Sequence, residues 1–170
     1  MDLKKVIRDV PDFPNPGILF KDITPLLENP AALEDAVGRL TEPFLSRKID
    51  SVAGVESRGF IFGALVAARL GVGFLPVRKP GKLPRETFRE EFQLEYGASA
   101  VEIHRDALGS GPRILVVDDV LATGGTAAAT GKLVQRAGGE VISMAFLIEL
   151  AFLEGRKHLP GFDIHSLLQY

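Results

Sequence analysis

The chain has 170 residues, 46% of them hydrophobic and 25% charged, with a formal net charge of −2. That composition suits one globular domain with a sizeable core, and the near-neutral balance gives no general field for nucleic acid or an anionic membrane, so any anion must be held by local groups. The absence of cysteine excludes disulfides, thiolate metal sites and cysteine nucleophiles.

The opening MDLKKVIRDV is charged throughout and is not a signal-peptide pattern. Glu149 closes the longest apolar run, 141–148, well short of a membrane span. A soluble cytoplasmic protein is the expectation. Leu3, Val6, Ile7 and Val10 stand at helical spacing and predict an N-terminal helix over residues 2–10. PDFPNPG then stops it, because each proline lacks a donor and restricts its predecessor. ILF, residues 18–20, is a short apolar segment in an otherwise irregular region. A helix is expected over residues 30–47, with Leu33, Val37 and Leu40 inward and a kink or restart at Pro43.

From residue 51 the pattern becomes regular. SVAGV (51–55) reads as a buried strand, 57–59 as a turn and 60–70 as a helix. GVGFLPV (71–77) supplies the next loop and strand. RKPGKLPRETFREEFQLEYG (78–97) is long, charged and broken by Pro and Gly, too long for a plain connection in a compact domain, which marks it as a functional lid. Strands follow at 98–104 and 113–119, a helix at 125–137 and a strand at 141–150. Strands that are apolar without alternation are buried on both faces, and separated by helices they predict an α/β fold with a mainly parallel sheet. Ligands in such sheets sit at the carboxyl ends of the strands, so ESRG (56–59) and DDVLATGGT (118–126) should share one edge. The reading is a single domain, 1–170, with residues 1–30 as a hood over that edge and 78–97 as a flexible lid.

The stretch VVDDVLATGGT poses the functional question, since adjacent acids repel an anion and a Gly-Gly turn at a helix start attracts one. Gly124 and Gly125 let the backbone approach a ligand closely, and Ala122, Thr123 and Thr126 complete the turn. Successive N–H groups there form an anion nest reinforced by the helix dipole. The triphosphate loop GxxxxGK[ST] is missing: GVESRGF has its glycine spacing but Phe60 where lysine is required. No GxGxxG dinucleotide turn occurs either, which leaves a terminal monophosphate. Asp118 and Asp119 suit sugar hydroxyls, or waters around a Mg²⁺ held by substrate phosphates. The bland alternative is that Asp119 caps a turn and Asp118 is merely exposed.

This stretch resembles the phosphoribosyl-pyrophosphate (PRPP) motif of the type I phosphoribosyltransferase family. The chain is similar to the adenine-using branch of that family over almost its full length, through FPNPGILFKDITPLL (13–27), VESRGFIFG (55–63), RKPGKLP (78–84), LEYG (94–97) and the terminal SLLQY. The resemblance implies the type I phosphoribosyltransferase fold and, with Mg²⁺ as cofactor, conversion of adenine and PRPP to AMP and pyrophosphate by a homodimer. It places the 5′-phosphate on residues 122–126 and the ribose hydroxyls on Asp118 and Asp119.

It also assigns pyrophosphate to Arg58, flanked by Glu56 and Ser57, and to Lys79 and Lys82 of the lid, with Arg85 a lesser candidate. Glu95 of LEYG would assist proton exchange on the base, supported by Tyr96. Phe20 would stack on the purine, and backbone groups around Leu19 and Lys21 would bond its edge. Phe92 stands where many relatives have tyrosine, so any contact by that hydroxyl is absent. His104, His158 and His165 lack metal-ligand spacing and read as structural. Two rivals remain: an enzyme for another purine base, and a non-catalytic PRPP-binding regulator.

Overall fold

The computed structural model describes residues 1–93 and 97–170. The chain divides into two compact units, Met1–Arg39 and Leu40–Tyr170.

The first unit begins with a 3-10 turn, Leu3–Lys5, and a hairpin of β1 (Arg8–Pro11) and β2 (Leu19–Asp22). The expected N-terminal helix is therefore a turn and a strand. Charge complementarity favours the hairpin: Arg8 lies opposite Asp22 and Asp9 opposite Lys21, and both pairs close as ion pairs, at 3.5 and 2.6 Å. Such cross-strand pairs are made only in the hairpin. Asp12, at φ 56°, closes the intervening loop by accepting the Gly17 N–H at 2.7 Å. Asp22 then caps α1 (Thr24–Glu28) through the Thr24 N–H, and Asn29 caps α2 (Pro30–Thr41) through the amides of Ala31 and Ala32. The helix ends at Thr41 and Glu42–Phe44 continue as a 3-10 turn, as Pro43 predicts.

In the second unit, β3 (Ser51–Val55), β4 (Gly73–Val77), β7 (Arg113–Leu121), β8 (Glu140–Glu149) and β9 (Ile164–Gln169) form one parallel sheet in the order β4-β3-β7-β8-β9. Residues 114–117 of β7 are all fully buried, as unbroken apolar strands of a covered sheet should be. Helix α3 (Gly59–Leu70) connects β3 to β4, and α4 (Gly125–Arg136) connects β7 to β8. Right-handed crossovers running outward in opposite directions put these helices on opposite faces.

Besides β1 and β2, two strands of the second unit were not expected from the sequence. β5 (Thr87–Gln93) lies inside the charged 78–97 stretch and pairs antiparallel with β6 (Ala98–His104). Its alternation is Phe88, Glu90, Phe92 inward and Arg89, Glu91, Gln93 outward, so a charged residue occupies the middle inward position and masks the pattern. Glu90 is satisfied there by Arg136 of α4 at 2.7 Å. β9 was hidden because His165 and Ser166 interrupt its apolar run.

Candidate active site

The strand order reverses between β3 and β7: β3 leads to β4 on one side and β7 to β8 on the other. The crevice beyond the carboxyl ends of two such strands is where open α/β sheets bind ligands. Residues 56–58 leave β3 there, and residues 122–126 leave β7.

The turn after β7 has the predicted form. Gly124 is the N-cap of α4 with φ 88°, a left-handed conformation that favours glycine. The first N–H groups of α4 have no partner within the helix and are available to an anion. Asp118, Val120, Leu121, residues 122–126 and Ala127 line a cavity of ≈ 70 Å³, room for a compact anion. A larger opening of ≈ 620 Å³ shares Thr123 and Gly125 with it and is lined by Phe92, Lys132 and His158 among others. The structure thus brings His158 to the rim of the turn, although its sequence context marked it as structural.

Strand β7 continues through both acids to Leu121, pairing Asp118 with Phe146, so the carboxylates sit within the strand and not just beyond it. Asp119 is buried and accepts from Arg58 Nε; its own N–H donates to Asp118 Oδ1 at 2.8 Å. Burial first, and the neighbouring Asp119 charge second, push the Asp118 carboxyl well above the usual range. The Arg58 guanidinium offsets the Asp119 charge, which eases the conflict between adjacent acids and an anion-attracting helix start. Gly59, at the start of α3, packs directly on Asp118: a Cβ there would lie 2.5 Å from Oδ1 and 3.2 Å from the Asp118 Cα. The glycine of ESRG is therefore needed for close approach, a role its sequence context did not reveal.

Glu56 faces the base of the lid. It accepts from Arg78 Nε at 3.1 Å and from the Lys79 N–H at 3.0 Å. Burial raises its carboxyl, but those two bonds and the two cations outweigh burial and hold it below the ordinary value. The Glu56–Ser57 peptide is cis, and Ser57 is exposed. Arg78, the first residue of the charged 78–97 stretch, also donates to the Lys82 carbonyl at 3.2 Å. Buried Glu102 accepts the Gly81 N–H at 3.2 Å. Lys79 and Lys82 are exposed; Lys79 shares a cavity of ≈ 90 Å³ with Glu56, Phe92 and Thr126. Arg85 pairs with Asp106 at 2.7 Å.

Leu19, Phe20 and Lys21 lie on β2 of the first unit, where Phe20 meets Phe13 edge-on at 5.1 Å and Lys21 is held by Asp9. Glu95 and Tyr96 lie outside the described residues. Among the described residues no cluster of three or more His, Asp or Glu could hold a metal, and no helix is long and apolar enough to cross a membrane.

A model of the phosphoribosyl transferase domain matches residues 23–159, which include both loops at the switch point. The chain belongs to the phosphoribosyltransferase family. Among the family's members, the adenine phosphoribosyltransferase of Thermotoga sp. (strain RQ2) is 56% identical over 170 residues, all of either chain. The crystal structure of adenine phosphoribosyltransferase from Thermoanaerobacter pseudethanolicus superposes with a TM-score of 0.97 at 54% identity, covering 99% of this chain and 98% of that one. The enzyme of that name from Saccharomyces cerevisiae, solved with adenine and an imino-altritol bisphosphate, gives 0.91 at 44% identity over 98% and 97%. The phosphoribosyltransferase fold expected from the sequence is therefore the fold observed.

Proposed function

We propose that the chain is a purine-salvage adenine phosphoribosyltransferase: N9 of adenine attacks C1 of PRPP, the bond to pyrophosphate breaks, the N9 proton leaves, and AMP and pyrophosphate result. The observation that carries this reading is the continuity of Asp118, Asp119 and residues 122–126 on one strand–turn–helix at the switch point, in a chain similar end to end to enzymes of that name.

The turn N–H groups and the Thr123 and Thr126 hydroxyls hold the 5′-phosphate. Asp118 and Asp119 accept from the ribose hydroxyls. As the C1–O bond lengthens, charge grows on the leaving pyrophosphate, and cations aimed at it lower the barrier. Arg58, Lys79 and Lys82 have that task. Glu56 acts mainly by fixing Arg78 and the Lys79 backbone, with Ser57 beside it. Glu95 takes part in moving the base proton, supported by Tyr96, and Phe20 stacks on the purine between backbone groups around Leu19 and Lys21. These assignments beyond the turn and the acids rest on resemblance. Closure of the 78–97 lid excludes water from the sugar cation.

Two adjacent carboxylates cannot cage a metal, but they fit a Mg²⁺ that arrives on the diphosphate and is met through water, because Mg²⁺ keeps several waters and takes one or two carboxylates. When bound, it would offset the charge of the leaving group. A homodimer belongs to the same proposal, supported by Ile61 and Leu65, each 37% exposed and one turn apart on α3. So does a cytoplasmic location, since polyanionic PRPP does not cross a bilayer unaided.

The test is pyrophosphate release from PRPP and Mg²⁺ with adenine, hypoxanthine, guanine and xanthine in turn. Turnover with adenine alone is expected. Turnover with another base would overturn the specificity, and no turnover despite PRPP binding would make the chain a regulator.

A further inference from the structure

A second glycine backbone lies against the phosphate turn. Gly155 is buried, and a Cβ on it would stand 2.3 Å from the Ala122 carbonyl oxygen. Conversely, a Cβ on Gly124 would stand 2.5 Å from the Gly155 carbonyl oxygen. The two main chains are therefore in direct contact, and the turn cannot relax outward while Gly155 stays in place. Residues 155–158 form a short 3-10 turn, which by itself has little to hold it.

What holds it is Arg156. Its Nε and Nη2 donate to Glu149 Oε1 and Oε2 at 2.7 and 2.8 Å, a two-pronged pair, and Nη1 reaches the Ile164 carbonyl at 3.3 Å. Glu149 is only 5% exposed and also accepts from Gln169 at 3.3 Å. It ends β8 in register with Leu121, the residue just before the turn, and the Leu150 N–H donates to the Leu121 carbonyl at 2.9 Å. A closed circuit results, from the end of β7 to the end of β8, through Glu149 to Arg156 and Gly155, and back to Ala122 and Gly124. The hydrogen bonds from Arg156 hold the Glu149 carboxyl below its ordinary value, and Glu149 holds the guanidinium above its own, so the two ends agree on the coupling.

We propose that Arg156, clamped by Glu149, is a positioning residue for phosphate binding: it seats the Gly155 main chain against Ala122 and Gly124 and so fixes the turn's N–H groups around the 5′-phosphate. The inference rests on the reading of residues 122–126 as the phosphate site. Donors aligned before binding need no reorganisation, and a displaced turn loses them together. The Arg156 guanidinium is committed to Glu149 and the Ile164 carbonyl, so its effect should fall on the phosphate end alone.

The test is calorimetric titration of ribose 5-phosphate, and separately of pyrophosphate with Mg²⁺, into the wild-type protein, Arg156→Lys, Glu149→Gln and Arg47→Ala. Arg156→Lys keeps the charge but loses the two-pronged geometry, which favours a folded variant. Arg47 is a control of similar chemistry near the start of β8, bonded to Asp163 at 2.7 Å and to the Ile142 carbonyl at 3.1 Å. The first two variants should bind ribose 5-phosphate roughly 10- to 100-fold more weakly, as expected when donors are misplaced by an ångström or less, with pyrophosphate affinity unchanged. Arg47→Ala should lower Tm and leave both affinities alone. If Arg156→Lys and Glu149→Gln lower Tm but bind ribose 5-phosphate like the wild type, the pair is only a structural tie and the proposal fails. If the wild type itself binds pyrophosphate but not ribose 5-phosphate, the reading of the turn fails, and this inference with it.

Discussion

At the scale of single residues, Asp118 links stability to pH. Its folded pKa lies above the unfolded value of about 3.9, so its favourable contribution is complete below about pH 4 and is lost as pH rises through the folded value. Near neutrality this partly buried acid therefore costs stability. Asp118→Asn should raise Tm at pH 7 in EDTA, with the gain vanishing below about pH 4; thermal melts across that range check it, and an unchanged or lower Tm at pH 7 would contradict it. Gly125 makes a second residue-level test. A Cβ there would meet the Phe92 ring at 3.2 Å, so Gly125→Val presses on the lid as well as on the phosphate space. Placing it in a Phe92→Ala background removes the ring. AMP binding should stay lost in the double variant, and its recovery would show that the lid contact alone was responsible.

At the scale of elements, the β5–β6 hairpin is docked on α4. Phe88 and Phe92 pack against the core cluster, and Arg136 donates to Glu90 and to the Arg89 carbonyl, each at 2.7 Å. Arg136 is about half exposed, so this tie is worth roughly 0–1 kcal/mol. Arg136→Ala should leave Tm within a few degrees and speed amide hydrogen exchange across residues 87–93. Unchanged exchange would show that the two phenylalanines suffice to hold the hairpin. This element also shows where pattern reading fails: a strand whose inward middle position carries a charge looks like a solvated loop until the partner cation on another helix is known.

At the scale of the whole molecule, four strands of the parallel sheet, β3, β4, β7 and β8, were legible because they are built on largely apolar runs, a property of local sequence, while β9 was masked by its His165 and Ser166. The glycine turn that opens α4 was legible for the same reason, since its glycines, threonines and acids are contiguous. The features hidden in the sequence are those set by partners distant along the chain. The Arg8–Asp22 and Asp9–Lys21 pairs make a strand of an apparent helix, Gly59 is required by Asp118, and Gly155 is required by Ala122. None leaves a spacing signal. The proposed function stands or falls on whether the turn holds the 5′-phosphate while the two acids hold the sugar. A crystal structure with AMP decides it: the phosphate should lie among residues 122–126 and the ribose hydroxyls on Asp118 and Asp119, whereas a phosphate bound at Arg58 and Lys79, with the ribose away from both acids, would refute the assignment.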